Sequence, residues 1–202
     1  MTYTFIIVAV TVLVSLAAFN SSSLYNNLIL WPKYMHKNPA EYHRFLSHGF
    51  IHADYMHLFF NMFALYIFGK EVETLFGMMG QHKMFLVLYL AGIVVAAIPS
   101  FWKNRNNSYY RSLGASGGVA AVLFSFSYFA PWQIIRVWFI PIPSIIASVA
   151  YLVYSAYMSK RGSDNVNHDA HFWGAVFGFV FTFIIDPSHG QIFLQMITHP
   201  QF

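Results

Sequence analysis

The chain has no cysteine, so disulfides, thiolate metal sites and a cysteine nucleophile are all excluded. Charge is nearly as scarce. Only 9% of the 202 residues are charged, whereas 57% are hydrophobic; soluble domains run near 25% charged. So few charges would not cover a soluble domain of this size. Long basic tracts are also missing. The formal net charge is +4 and the pI about 9.3, but the cations are scattered between apolar runs. Anionic lipid headgroups are the simpler partner, and nucleic acid is not expected.

Long apolar runs are what the chain does have. They lie at about 4–19, 54–75, 83–101, 116–130, 138–158 and 169–186. Several approach the length, about 20 residues, that crosses a bilayer. The expectation is one all-α domain over 1–202, a bundle of six transmembrane helices embedded in a lipid bilayer, with no repeat and no appended soluble domain. The start reads Met1-Thr2-Tyr3-Thr4 without the positive segment that opens a secretory signal, so 4–19 is read as a retained span, with cleavage at Ala17-Ala18 the weaker alternative. Residues 20–53 mix Trp31, Tyr34, Tyr42, Phe45 and Phe50 with Lys33, Lys37 and Arg44, which suits a segment lying among headgroups.

The fourth run stops at Pro131 and is short, about 22 Å at 1.5 Å per residue against a hydrocarbon core of about 30 Å. Its first residue, Ser116, should therefore sit below the membrane surface. Irregular backbone just before it is tolerated only if buried in protein or lining a wet cavity.

Gly114, Ser116, Gly117 and Gly118 stand together at that point. A serine at a helix N-terminus has free backbone N–H groups beside it, which can stabilise an oxyanion. The plain structural alternative is a capping serine with glycines for helix packing. On the sixth run, His171, Gly174 and Gly178 share one helix face. A histidine on the small-residue face points to a neighbouring helix, and an ionisable group inside a span suggests function. Asp169 lies roughly 160° from His171 around the helix and should point away. A dyad is therefore expected, with Asn167 and His168 near the ring. On the second run, His57 and Asn61 are four apart and offer two N–H donors to one point, as an oxyanion needs. A polar packing seam is the alternative. Because helices alternate direction, all three groups enter from one side of the membrane.

His48 with His52 and His168 with His171 raise metal or haem binding. There is no HExxH motif and no carboxylate placed as a third ligand inside a span, so no metal and no cofactor is expected.

These residues resemble the rhomboid family of intramembrane serine proteases. Ser116 lies in a motif like the family's GxSG. His171 with Gly174 and Gly178 resembles its histidine–glycine pattern, and His52, His57 and Asn61 match HxxxxHxxxN. Glu41 and Arg44 look like its loop-one element, and Glu73 like an acidic residue after its second helix. The resemblance runs from residue 41 to about 180.

It implies a serine endopeptidase that cuts transmembrane segments of other membrane proteins. Ser116 would be the nucleophile and His171 its base. His57, Asn61 and the Ser116 N–H would bind the oxyanion. His52, Arg44, Glu41, Gly114, Gly117, Gly174 and Gly178 would give structural support. Two positions depart from the pattern. His43 stands where many bacterial relatives carry tryptophan. Ala120 stands where many carry an aromatic stacked on the catalytic histidine, a place that Phe124 or Phe172 is expected to fill in part.

The resemblance also implies the minimal bacterial form in an inner (cell) membrane, with cytoplasmic termini and a site opening to the other side. Charge says the reverse. Lys33, Lys37, Arg44, Lys103, Arg105, Arg111, Lys160 and Arg161 fall on the site side, against Lys70, Lys83 and Arg136 opposite. Two rivals stand beside the protease: an inactive rhomboid-like protein that binds transmembrane helices, and a small transporter or haem protein.

Overall fold

The first apolar run forms helix α1 (Tyr3–Phe19), whose N-cap Thr2 accepts from the Phe5 N–H. The computed structural model describes residues 2–137, 139–161 and 167–199. The first turn of α1 contains no acid of its own. Its anion comes from across the bundle: Glu73 accepts from the N–H groups of Tyr3 and Thr4 at 2.7 and 2.9 Å and from the Thr4 hydroxyl at 2.7 Å. A buried carboxylate at the positive end of a helix is stabilised by the free N–H groups there.

Residues 20–53 are not one loose segment. They fold into α2 (Ser22–Leu28), α3 (Pro32–Lys37) and α4 (Arg44–Ser47), with 3-10 turns at Pro39–His43 and His48–Phe50. Arg44 binds them together. Its Nε meets Glu41 at 2.6 Å, and its Nη1 donates to the carbonyls of Asn26 and Ile29 at 2.6 and 2.9 Å. The guanidinium lies 5.6 Å from the centre of the Tyr34 ring. Its planar fork suits several acceptors at once, which makes its burial tolerable.

Three long helices follow: α5 (Tyr55–Met78), α6 (His82–Asn104) and α7 (Ser116–Phe129). Beyond α7 the structure departs from an all-helical reading. The fifth run was expected to begin near residue 138, but β1 (Ile134–Val137) and β2 (Ile140–Pro143) form an antiparallel hairpin that pairs Arg136 with Pro141 and Ile134 with Pro143. Proline lacks an N–H and suits an edge strand better than a helix interior. Helix α8 (Ser144–Arg161) starts only after the second proline. The Ser144 hydroxyl lies 2.6 Å from the carbonyl of Ala130 and 3.1 Å from that of Pro131, tying the base of the hairpin. Helix α9 (His168–Ile185) holds the sixth run. A further helix, α10 (His189–Thr198), folds back so that Phe193 stacks on Tyr128 at 5.5 Å and Trp132 donates to the Met196 carbonyl at 2.6 Å.

Helix α7 sits at the centre, packed by α5, α6, α8 and α9. Its contact with α9 is made by backbone. A Cβ on Gly174 would overlap the carbonyl oxygen of Gly117, and one on Gly178 would overlap that of Ala121. Around this seam Leu65, Val72, Phe76, Phe85, Leu88 and Val122 are fully buried. Leu13, Phe59, Phe63, Val153 and Ile184 face outwards, an apolar exterior of the kind a lipid environment covers. Among the described residues, α6 and α9 are the two helices long and apolar enough by length and composition to cross a membrane; α1, α7 and the Ser144–Ser159 part of α8 are apolar but shorter.

Candidate functional site

The backbone ahead of Ser116 is irregular, and loop one satisfies its hydrogen bonds. Leu30 and Ser112 exchange two backbone bonds at 3.0 and 3.1 Å. Gly114 N–H donates to the His48 carbonyl at 2.9 Å, and Ala115 N–H reaches His52 Nε2 at 3.4 Å. Gly114 has φ +112°, a left-handed conformation, and a Cβ there would lie 2.7 Å from His57 Cε1. Conformation and space both require glycine. The N-cap of α7 is Ala115, with no side-chain capping bond, so Ser116 is the first helical residue and not the cap. It stands where helix N–H groups lack intrahelical partners.

His52 is held by a chain of partners that assigns its tautomer. The Ser15 hydroxyl donates to the Phe50 carbonyl at 2.9 Å and lies 2.9 Å from His52 Nδ1. Nδ1 therefore carries the proton, and Nε2 is left to accept from Ala115. Burial, and then the nearby His57, push the pKa of His52 down to about 3 against the pull of Asp54. His48, buried beneath the carbonyls of Arg44 and Phe45, is pushed down by burial to about 4. Both rings support the loop in the neutral form. An unfolded chain would protonate them near 6.5. Between that value and about 4, the unfolded state binds protons that the folded state refuses, so stability falls as pH falls. We expect the melting temperature in detergent to drop from pH 7 to pH 4.5, with a shallower slope for His48→Gln. Equal slopes would contradict this role.

Asp54 caps α5, accepting from the His57 N–H at 2.7 Å. His57 packs edge-on against His52 at 4.9 Å, and Asn61 Nδ2 donates to the His57 carbonyl at 2.9 Å. That bond uses one amide proton of Asn61 and leaves the other for a ligand.

At the head of α9, Asn167 Oδ1 accepts from the Ala170 N–H at 3.1 Å and from the Ser100 hydroxyl at 3.0 Å, while its Nδ2 donates to Ser112 at 2.9 Å. The cap thus ties α9 to α6 and to the strand leading to Ser116. Asp169 is engaged elsewhere, with Lys103 at 2.9 Å and with the Ser159 hydroxyl. The His168 ring meets His171 edge-on at 5.6 Å. The ring stacked on His171 is Tyr151 of α8, with centroids 5.7 Å apart and planes at 25°. This corrects the expectation for Phe124 and Phe172: Phe124 packs against Tyr151 itself, and Phe172 against Trp173. One sequence signal pointed to Tyr151. It shares the 144, 148, 155 face of α8, whose serines are all buried.

These elements enclose a cavity of about 910 Å³ lined by His57, Asn61, Ser116, Tyr151, Asn167 and His171, among others. A hydroxyl, an imidazole and amide and imidazole N–H donors thus share one hollow, the inventory of nucleophilic acyl transfer. Gly117, Gly174 and Gly178 set the α7–α9 spacing below it, and Glu41 and Arg44 brace loop one beside it. Among the described residues, no three His, Asp or Glu side chains cluster as metal ligands.

The sequence model of the Rhomboid domain matches residues 39–188. Presenilin-associated rhomboid-like protein A, mitochondrial, of Danio rerio is 31% identical over 156 residues, covering 72% of this chain and 39% of that protein. Rhomboid protein 1, mitochondrial, of Saccharomyces cerevisiae is 28% identical over 148 residues, covering 71% of this chain and 42% of that protein. Rhomboid-like protein 11, chloroplastic, of Arabidopsis thaliana is 31% identical over 166 residues, covering 75% of this chain and 55% of that protein. The chain spans about half the length, or less, of these curated relatives. Their names overturn the expectation of a minimal bacterial protein in a cell membrane with cytoplasmic termini, because they are mitochondrial and chloroplast proteins. With a domain match over most of its length and relatives of the same kind, this chain belongs to the rhomboid family.

Proposed function

We propose that this chain is an intramembrane serine endopeptidase that cuts transmembrane segments of other membrane proteins with a Ser116–His171 dyad. The observation that carries the reading is the shared cavity of Ser116, His171, His57 and Asn61. The six long helices are read as six spans of one membrane domain, in an organellar membrane as the relatives' names suggest. His171 takes the proton of Ser116 Oγ as the oxygen attacks the scissile carbonyl. His57, Asn61 and the Ser116 N–H hold the oxyanion. The C–N bond then breaks, and His171 passes its proton to the leaving amine. Water entering the cavity attacks the acyl-enzyme carbonyl as His171 takes its proton; the ester C–O bond then breaks, the acid product leaves, and the imidazolium returns the proton to Ser116 Oγ. An inactive helix-binding protein is disfavoured, since both Ser116 and His171 are in place.

A transmembrane helix hides its carbonyls in its own hydrogen bonds, so the cut stretch must unwind before attack. Each glycine weakens a helix by about 1 kcal/mol relative to alanine, and two should speed cleavage roughly tenfold or more if unwinding limits the rate. The test is cleavage of two tagged substrates by the protein in liposomes: a poly-leucine segment, and the same segment with two glycines near one end. Preferential cutting of the glycine-containing segment, lost in Ser116→Ala, supports the reading. Equal cutting of both segments contradicts the unwinding step, and equal cutting by Ser116→Ala contradicts the dyad.

A further inference from the structure

We propose that Tyr151 of α8 is the positioning residue that sets the ring of His171, taking over a task that residue 120 cannot perform here. The proposal rests on the dyad described above. One turn beyond Ser116, α7 presents only the methyl group of Ala120, fully buried in a cluster with Phe124 and Ala175 against which Tyr151 packs. A methyl group has no face to offer an imidazole. Tyr151 enters from the neighbouring helix and lies nearly parallel to His171 at 5.7 Å. Behind it stands Phe124, its ring 6.5 Å away. Helix α7 thus supplies the wall behind the stacking ring and not the ring itself.

The orientation of α8 makes this placement specific. Ser144, Ser148 and Ser155 lie on one face at helical spacing and are all buried. Tyr151 shares that face and is the large side chain among small ones. Ile146, Val149, Val153 and Tyr157 occupy the outward faces. Tyr151 is therefore directed into the bundle, where it also lines the cavity. Its effect on His171 is twofold. It limits rotation of the imidazole, so that the ring is presented to Ser116 in one orientation. It also places a π face against the ring when that ring becomes imidazolium, as a cation favours. Both act in the chemical step more than in substrate binding.

The test uses the full chain in liposomes with the glycine-containing substrate, together with NMR of histidine-labelled protein in detergent. The His171 signal is assigned by its loss in His171→Asn. Tyr151→Ala is expected to lower kcat about 10- to 100-fold with little change in KM. Tyr151→Phe, which keeps the ring, restores most of that loss. The double variant Ala120→Tyr with Tyr151→Ala, which moves the ring from α8 to α7, recovers part of it. The carbon-bound ring protons of His171 are shifted upfield in the wild type and in Tyr151→Phe, and move downfield in Tyr151→Ala. The NMR arm reads the stack without activity, so it stands even if no cleavage is seen. No upfield shift in the wild type overturns the proposal, as does wild-type kcat in Tyr151→Ala while Ser116→Ala is dead. A loss in Tyr151→Ala that neither Tyr151→Phe nor the double variant repairs also overturns it.

Discussion

Replacing His171 with alanine is expected to lower kcat/KM for a transmembrane substrate by about 10³-fold or more, and Ser116→Ala should cost as much. In the proposed dyad the two side chains act as a unit. Without the imidazole, the serine hydroxyl keeps its proton at the moment of attack; without the hydroxyl, the imidazole has nothing to activate. The double variant should therefore be no worse than either single one, since the second substitution removes nothing that still works. Both single variants should stay folded. The α9 helix is held by backbone contact at Gly174 and Gly178 and by the Asn167 cap, and neither depends on the His171 ring. Cleavage kinetics in liposomes, paired with thermal unfolding in detergent, check this. A variant that loses activity only because it loses its melting transition would not count in its favour.

Gly178→Leu is expected to leave little folded protein, and Gly178→Ala to lower the melting temperature clearly and cut activity by about 100-fold. A Cβ at this position overlaps the carbonyl oxygen of Ala121, with the Cα and carbonyl carbon of that residue close behind. Backbone cannot turn aside as a side chain can, so α9 must move away from α7. That movement carries His171 with it, seven residues and two turns from the clash. A displacement of about 1 Å from the productive geometry can cost a hundredfold in rate. Val180→Ala on the outward side of the same helix provides the contrast. It should change neither quantity much, because it touches no neighbouring backbone. A neutral Gly178→Ala would mean that α7 and α9 do not meet as closely as described.

The parts of this architecture that rest on local pattern could be read from the sequence. The apolar runs locate the long helices. The spacing of His171, Gly174 and Gly178 places the histidine on the face that meets α7. The angular offset of Asp169 points it to Lys103 and Ser159 instead of to the cavity. The fourth run, ending at Pro131, is the short helix that begins at Ser116.

What was missed depends on contacts between distant segments. Pro141 and Pro143 read as the opening of a helix, but they close a hairpin whose pairing with 134–137 is not visible from either strand alone. Helix α10 is ten residues long, too short to announce itself before it docks on Tyr128. The motifs around Ser116 and His171 point to α7 and α9 for the ring stacked on His171. It comes from α8, where the serine spacing marks the face that Tyr151 shares and the packing of three helices brings that face to His171. Compartment was not legible at all. Charge and apolarity describe a bilayer, not whose bilayer it is, and the relatives' names corrected that expectation.

The most direct test of the dyad is to treat the protein in liposomes with a fluorophosphonate and to map the adduct by peptide mass spectrometry. A serine activated by a neighbouring imidazole is phosphonylated, whereas an ordinary hydroxyl is not. A single adduct on Ser116 is expected in the wild type, absent from Ser116→Ala and strongly reduced in His171→Ala. An unlabelled Ser116, or labelling that persists undiminished in His171→Ala, would contradict it.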